Sequence, residues 1–114
     1  MPLKKNGLLK RKDLVNLGRG GRSNYNNLFR IKLIKNNLSA NRFVIVVSSK
    51  ISKKAVERNK IKRQIRAIIK SLSDRLNVAY DVLIIALPDI IGKKFNLTEQ
   101  ALTDNFRKIR LLKQ

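Results

Sequence analysis

The stretch AVERNKIKRQIRAIIK, residues 55–70, decides the fold of this 114-residue chain. Its isoleucines and the leucine that follows it recur at helical spacing, which places them on one side of an α-helix; they are Ile61, Ile65, Ile68, Ile69 and Leu72. We expect that side to face a core. The opposite side carries cations and one amide, which are Asn59, Lys62, Arg63, Arg66 and Lys70, while Arg58 lies on the flank of the apolar stripe. Glu57 is the only acid in the stretch, so the cations have little opposite charge at helical spacing.

The charge of the whole chain decides between two interpretations of this helix. A lysine-rich helix is usually a solvated surface helix, but here 27 Lys and Arg stand against 7 Asp and Glu, a formal net charge of +20. Self-repulsion of that size destabilises the compact state unless a polyanion neutralises it. The composition therefore favours a surface for nucleic-acid phosphates.

Composition also excludes most kinds of active site. The chain has no cysteine and no histidine, which rules out disulfides, thiolate chemistry and the commonest general base. Its seven acids are scattered along the sequence, whereas carboxylate-dyad or two-metal hydrolysis needs acids that converge. We expect no catalytic residue and no metal site in this chain, so that another molecule supplies the catalytic groups of any reaction.

Length and hydropathy predict one domain over residues 1–114, with a flexible basic arm over residues 1–5. The apolar runs are too short to span a bilayer, and no signal-peptide pattern opens the sequence. The sequence also lacks a G-x-G-x-x-G or P-loop pattern. We therefore expect a cytoplasmic protein without a membrane or small-molecule partner.

The predicted element order is α-β-β-α-β-α. A short helix begins near Asn6 and ends by Gly18, before the segment GRGGR, which is as typical of a helix stop as of a phosphate-binding loop. Alternating apolar residues predict a strand over residues 27–34, and β-branched residues predict another over 42–48. We expect these two to form a hairpin. The apolar run 80–87 predicts a buried strand that joins their sheet alongside one of them.

The ends of the two later helices carry further signals. The linker SKISKK, residues 49–54, brings Lys50, Lys53 and Lys54 to the N-terminus of the central helix, where the helix dipole attracts the same anion. Asn96 and Glu99 resemble a capping box for a terminal helix. The inner side of that helix is formed by Leu102, Phe106 and Ile109.

Aromatic residues are few, and they divide into two groups. Phe29, Phe43 and Phe106 lie on apolar stripes, which favours core packing over stacking on unpaired RNA bases. Tyr25 lies in the polar stretch SNYNN and is the better stacking candidate.

Residues 55–66 resemble the signature helix of the bacterial ribonuclease P protein subunit. The matching pattern is Ala55-x-x-Arg58-Asn59-Lys60-Ile61-Lys62-Arg63-x-Ile65-Arg66. Flanking positions resemble the family as well: Ser49 and Lys50 before the helix, Gly21 after the first helix, Asp81 at the last strand, and Phe106, Arg107 and Lys108 in the final helix.

This resemblance implies a small α/β (α+β) sandwich similar to the second domain of ribosomal protein S5, with a left-handed βαβ crossover. It implies a protein subunit that binds ribonuclease P RNA and the 5′ leader of precursor tRNA, and that assists endonucleolytic removal of the leader. It also implies that the catalytic groups lie in the RNA and that Mg²⁺ is held mainly by the RNA.

The resemblance assigns site residues by position. The RNA contact would be carried by Lys50, Lys53, Lys54, Arg58, Asn59, Lys60, Lys62, Arg63 and Arg66, and the leader cleft by Tyr25, Phe29 and Arg30. Lys60 stands where many members have arginine. Lysine keeps the positive charge but lacks the bidentate phosphate geometry of arginine. Leu14 and Gly18 stand where members often have aromatic residues, and Leu87 replaces a common arginine.

Two other classes of protein would have a similarly high positive charge. A structural RNA-binding protein of the ribosomal type would have no role in a reaction, and a basic DNA-architectural protein would bind a different polymer. Both predict binding that weakens steeply with salt. The pattern in residues 55–66 distinguishes the ribonuclease P interpretation from them.

Overall fold

The computed structural model describes residues 21–113, which form a four-stranded sheet and two helices. The elements are β1 (Arg22–Tyr25), β2 (Phe29–Lys35), β3 (Arg42–Val46), α1 (Ala55–Leu72), β4 (Tyr80–Ala86) and α2 (Phe95–Lys108), with single 3₁₀ turns at Ser73–Arg75 and Pro88–Ile90. The predicted mixture of helices and strands is confirmed. The basic arm and the predicted first helix lie outside the described residues, and β1 is a strand that the sequence did not predict.

The strand order across the sheet is β1-β2-β4-β3. β1 pairs with β2 and β2 with β4 in antiparallel fashion, while β3 and β4 are parallel. The predicted hairpin between β2 and β3 is therefore wrong, because β4 lies between them. The hairpin partner of β2 is β1. A central place suits β4, whose apolar residues on both faces require cover that an edge strand does not provide.

One face of the sheet, the inner face, forms the core. Register places Phe29 opposite Ala86, Ile31 opposite Ile84, and Leu33 opposite Val82. All six side chains are at most 2% exposed. The alternation of β2 that predicted a half-buried strand is thus confirmed, since its even-numbered residues point to the other face.

Both helices pack on the inner face. The predicted stripe of α1, from Ile61 to Leu72, is buried as expected, and α2 contributes Leu102 and Phe106, both 0% exposed. The N-cap of α2 is Lys94 and makes no side-chain capping bond, so the predicted capping box at Asn96 is wrong. These contacts fix α1 with its apolar side toward the sheet and its cationic side outward.

The opposite face, the outer face, carries a mixed row at the end of the sheet near the β1–β2 turn. Tyr25 pairs with Arg30, Arg30 with Ile85, and Ile85 with Val46, so these four side chains share that face. Tyr25 is 74% exposed. An exposed ring next to an exposed guanidinium thus lies at the edge of the outer face.

Polar contacts fix the opposite end of the sheet. Arg42 at the start of β3 forms a bidentate pair with Asp81 of β4, with N–O distances of 2.7 and 2.6 Å. Asn36 donates to the same carboxylate at 2.9 Å. The buried Asn41 donates to the backbone oxygen of Asn77 and accepts from the amide of Tyr80. These bonds hold the starts of the two parallel strands side by side.

Candidate nucleic-acid interface

The cationic side of α1 is the main candidate. We define the central-helix face as Arg58, Asn59, Lys60, Lys62, Arg63 and Arg66. Arg63, Arg66, Lys60 and Asn59 are exposed, whereas Arg58 and Lys62 are half-buried beside the apolar stripe. Lys70 extends the row toward the end of the helix and is exposed too. The structure therefore distributes these predicted residues around the solvent-facing part of a single helix, with Lys60 and Lys62 on opposite flanks.

No carboxylate within residues 21–113 pairs with a cation of the central-helix face. Between described residues, ion pairs join Arg42 to Asp81 and Arg107 to Asp104, and neither pair includes α1. The expected array of unpaired positive charge is thus present in this part of the chain. Cations fixed on one helix can displace several condensed counterions from a nucleic acid together.

Arg58 also has a role within the protein. Its Nη1 donates to the backbone oxygen of Ser52 at 2.8 Å, which ties the first turn of α1 to the preceding loop. The loop is shaped further by a bond from the amide of Ile51 to the backbone oxygen of Ser48, at 3.0 Å, and by partial burial of Ile51 against the core. Ser52 Oγ accepts from the amide of Lys54 at 3.2 Å. This loop carries the three predicted lysines.

Lys50, Lys53 and Lys54 are exposed and lie beside the N-terminus of α1. Lys54 is the N-cap residue, and no side chain caps the helix there. The first backbone amides of α1 therefore keep their partial positive charge close to the lysines. Glu57 in the first turn is the only acid of this helix. The end of α1 and the loop together form an extension of the central-helix face that favours anions.

The predicted leader-cleft residues do not all lie on the surface. Tyr25, Arg30 and Leu87 line a groove of about 140 Å³ on the outer face. Phe29 is 0% exposed and belongs to the core, because its side chain alternates to the inner face. The prediction that the Phe29 ring contacts the leader is therefore wrong, because the ring is buried in the core. Leu14 and Gly18 lie outside the described residues.

A set of asparagines that the sequence did not indicate holds the β1–β2 turn. Asn24 donates to Oδ1 of Asn105 on α2 at 3.0 Å, and Asn105 donates to the backbone oxygen of Phe29 at 3.3 Å. Asn26 donates to the backbone oxygen of Ala101 and accepts from the amides of Leu28 and Phe29. Both neighbours of Tyr25 are thus bonded to α2. Such residues do not follow a periodic pattern. The one available signal was Asn105, a polar residue on the otherwise apolar inner side of the terminal helix, which indicates a buried hydrogen-bond partner.

Possible metal-ligating side chains do not cluster in the described part of the chain. Within residues 21–113, no three His, Cys, Asp or Glu side chains lie close enough together to bind a metal ion. Over the same range, no helix combines the length and apolar character needed to cross a bilayer. The cationic surface of α1 and the outer-face groove are the two places where predicted site residues come together.

Comparison with known proteins gives a consistent result. The family model described as Ribonuclease P matches residues 1–110. The chain is 44% identical to the ribonuclease P protein component of Synechocystis sp. over 73 residues. This alignment covers 64% of this chain and 59% of the relative's length. It is 30% identical to the protein component of Alkaliphilus metalliredigens over 94% of this chain and 96% of that relative.

Solved structures agree with the sequence relatives. The fold superimposes on the ribonuclease P protein of Staphylococcus aureus with a TM-score of 0.85, at 26% sequence identity, over 92% of this chain and 96% of that one. The α+β fold expected from the resemblance is therefore confirmed. With the signature residues gathered on α1 and the family model matched over nearly the full length, this chain belongs to the ribonuclease P protein family.

Proposed function

We propose that this protein is the RNA-binding subunit of a ribonuclease P. In this role it binds ribonuclease P RNA through the central-helix face and the 5′ leader of precursor tRNA through the outer-face groove. It thereby assists the endonucleolytic cut that produces the mature 5′ end of tRNA. The observation that carries the proposal is the set of cations on α1 at the positions of the family signature, which form no ion pair with a carboxylate of residues 21–113. The proposal includes a cytoplasmic location, which fits the family and its RNA partners.

The chemistry of the central-helix face suits a folded RNA. Arginine can bond two phosphate oxygens at once, so Arg58, Arg63 and Arg66 can fix the orientation of the helix on an RNA backbone. Lys60 and Lys62 add charge without that directionality. The apolar side of α1 is buried in the core. The RNA therefore meets a helix whose position is already set by the core.

The outer-face groove suits a single strand. Tyr25 offers a ring that is 74% exposed, and unpaired bases stack on such rings in a sequence-tolerant way. Arg30 is its cross-strand partner and supplies a cation for a neighbouring phosphate. Together they support the assignment of the leader to this groove, with Phe29 acting from the core as a support for β2.

The catalytic groups are proposed to lie in the RNA. The described acids of this chain do not converge, and the chain has no histidine. We propose that the Mg²⁺ ions of the reaction are held mainly by the partner RNA, and that the protein contributes binding and orientation.

Reconstitution tests the function. The protein is mixed with a bacterial ribonuclease P RNA and labelled precursor tRNA at a low magnesium concentration, where the RNA alone cleaves slowly. We expect a gain in 5′ cleavage with the protein and a smaller gain with an Arg63→Ala/Arg66→Ala double variant. Lys35→Ala, an exposed cation at the far end of β2, is the matched control. Absence of any gain with the unaltered protein would favour a structural RNA-binding role.

A second experiment tests the leader assignment. Tyr25→Ala should weaken the affinity of the reconstituted enzyme for precursor tRNA by about 1–3 kcal/mol, the value of one base stack, while affinity for mature tRNA stays unchanged. Tyr25→Phe should preserve the affinity, because the ring remains. Phe95→Ala removes another exposed ring, on α2, and is expected to have no effect. An equal loss for precursor and mature tRNA would contradict the assignment.

A further inference from the structure

A second groove lies beside the β1–β2 turn, on the side that faces α2. Its volume is about 310 Å³, and it runs between the turn residues Asn27 and Leu28 and the α2 residues Leu97, Gln100 and Lys108, with Lys93 at one side. We call it the turn–helix groove. The backbone amide of Leu87, a residue of the Tyr25 groove, donates to the backbone oxygen of Leu28 at 2.9 Å. The two grooves therefore lie on either side of the same short turn.

The lining combines three kinds of group. Leu97, which is 47% exposed, and the half-buried Ala101 supply apolar surface, Asn27 and Gln100 supply amides, and Lys93 and Lys108 supply ammonium groups. Among the described residues, no hydrogen bond or ion pair engages the side chains of these amides and lysines. Asp104 also lines the groove, but its carboxylate is paired with Arg107 at 3.0 Å. Free donors and acceptors are thus presented around an apolar surface, with an excess of positive charge.

The wall of the groove is held firmly. Asn26 bonds across to the backbone oxygen of Ala101 at 2.9 Å and accepts two backbone amides of the turn. Asn24 and Asn105 add a second link between β1 and α2 at 3.0 Å. Because these bonds fix the distance between turn and helix, the groove is formed before any ligand arrives, which lowers the entropic cost of binding.

We propose that the turn–helix groove binds an unpaired nucleotide of the precursor tRNA leader, adjacent to the base that stacks on Tyr25. This inference rests on the proposed function and adds a second binding position to it. Amide side chains can bond the exposed edge of an unpaired base, apolar side chains contact its ring, and the lysines attract the flanking phosphates. A base held within a duplex presents its pairing edge to its partner, so the groove selects single strands.

The decisive comparison is leader length. Precursors with leaders of increasing length are bound by the enzyme reconstituted with a Gln100→Ala/Lys108→Ala double variant or with the unaltered protein. We expect equal affinities for the shortest leaders and a loss of about 10-fold for the longest with the double variant. The matched control is Lys35→Ala/Asn37→Ala, which removes an exposed lysine and an exposed amide at the other end of β2. Unchanged affinity at every length, or a loss that is equal at every length, overturns the proposal.

A spectroscopic readout separates this inference from the proposed function. A single-stranded oligoribonucleotide added to the isolated, isotopically labelled protein should shift the side-chain amide signals of Asn27 and Gln100 but not that of Asn37. The result does not depend on cleavage, so shifts without any gain in cleavage would overturn the proposed function and retain the groove. Absence of shifts, or equal shifts with a duplex of the same sequence, would overturn the groove while the enzyme role stands.

Discussion

Arg58 on α1 donates a hydrogen bond to the backbone oxygen of Ser52 at 2.8 Å, so the cation that opens the signature helix also anchors the loop before it. The loop carries Lys50, Lys53 and Lys54. The arrangement of the lysines relative to α1 therefore depends on an arginine that also belongs to the proposed RNA surface. A change at Arg58 should therefore affect both the stability of the protein and its affinity for RNA, whereas a change at an exposed cation such as Arg63 should affect only the affinity.

Arg58→Ala and Arg63→Ala should consequently differ in their effect on the protein alone. Arg63 is exposed and makes no bond with the described residues, so its removal should weaken RNA binding by about 1–3 kcal/mol with an unchanged melting temperature. Arg58→Ala should weaken RNA binding and also cost about 1 kcal/mol of stability, a lowering of the melting temperature of about 4–8 °C. Thermal melts and titrations with ribonuclease P RNA measure both. Equal melting temperatures for the two variants would show that the Ser52 bond contributes nothing.

Leu87→Arg should strengthen the interaction with the leader. Leu87 lines the outer-face groove with Tyr25 and Arg30, so a guanidinium introduced there lies near the proposed path of a single strand. One added phosphate contact should steepen the dependence of log affinity on log salt by about 0.7. Titrations of precursor tRNA at several salt concentrations measure the slope, with Leu87→Gln as the uncharged control. A slope equal to that of the control would place the leader elsewhere.

Gly21→Ala should destabilise the protein more than Gly92→Ala. Both glycines have positive φ, +82° and +78°, where alanine costs about 1–2 kcal/mol. A Cβ on Gly21 would also lie 2.1 Å from the backbone oxygen of Leu33, while one on Gly92 meets nothing within 4 Å. The clash adds to the conformational cost only at Gly21, because relief requires the backbone of β2 to move. Chemical denaturation of both variants gives the comparison, and equal losses would contradict it.

Asp81→Ala should lower the free energy of unfolding by about 3 kcal/mol, because it leaves the largely buried Arg42 without its bidentate carboxylate. It also removes the acceptor of Asn36. The control is Asp104→Ala, which breaks the exposed pair with Arg107 and should cost less than about 1 kcal/mol. Denaturant unfolding of the two variants measures the difference. Similar small losses would show that the Arg42–Asp81 pair contributes little to stability.

Periodic patterns predicted the parts of the fold that bury one face. The isoleucine stripe of α1 and the alternation of β2 each repeat over several residues, so the local sequence alone indicates which side chains are buried. Strand pairing is not local, and neighbouring β-rich segments suggested a hairpin that β4 in fact separates. The nearly continuous apolar run of β4 was the available signal for a central strand. β1 escaped notice because an exposed edge strand of sequence RSNY has no apolar face.

The sequence likewise predicted some residues of the candidate site and not others. The cations of α1 could be located because a helix places them opposite the apolar stripe, whatever lies elsewhere in the fold. Phe29 was misplaced as a ligand contact, since which side of a strand faces a cleft depends on the sheet as a whole. The bonds from Asn24 and Asn26 to α2 join residues about 80 positions apart in the sequence. No local pattern predicts bonds of that kind.

The central place of β4 has a consequence for the order in which the molecule forms on the ribosome. β1, β2, β3 and α1 are all synthesised before β4, yet β2 and β3 are joined only through it. Until residue 86 has left the exit tunnel, α1 has no continuous sheet on which to dock. Contacts between distant segments form late during folding. The helix proposed to hold the RNA is therefore made early by the ribosome and immobilised late.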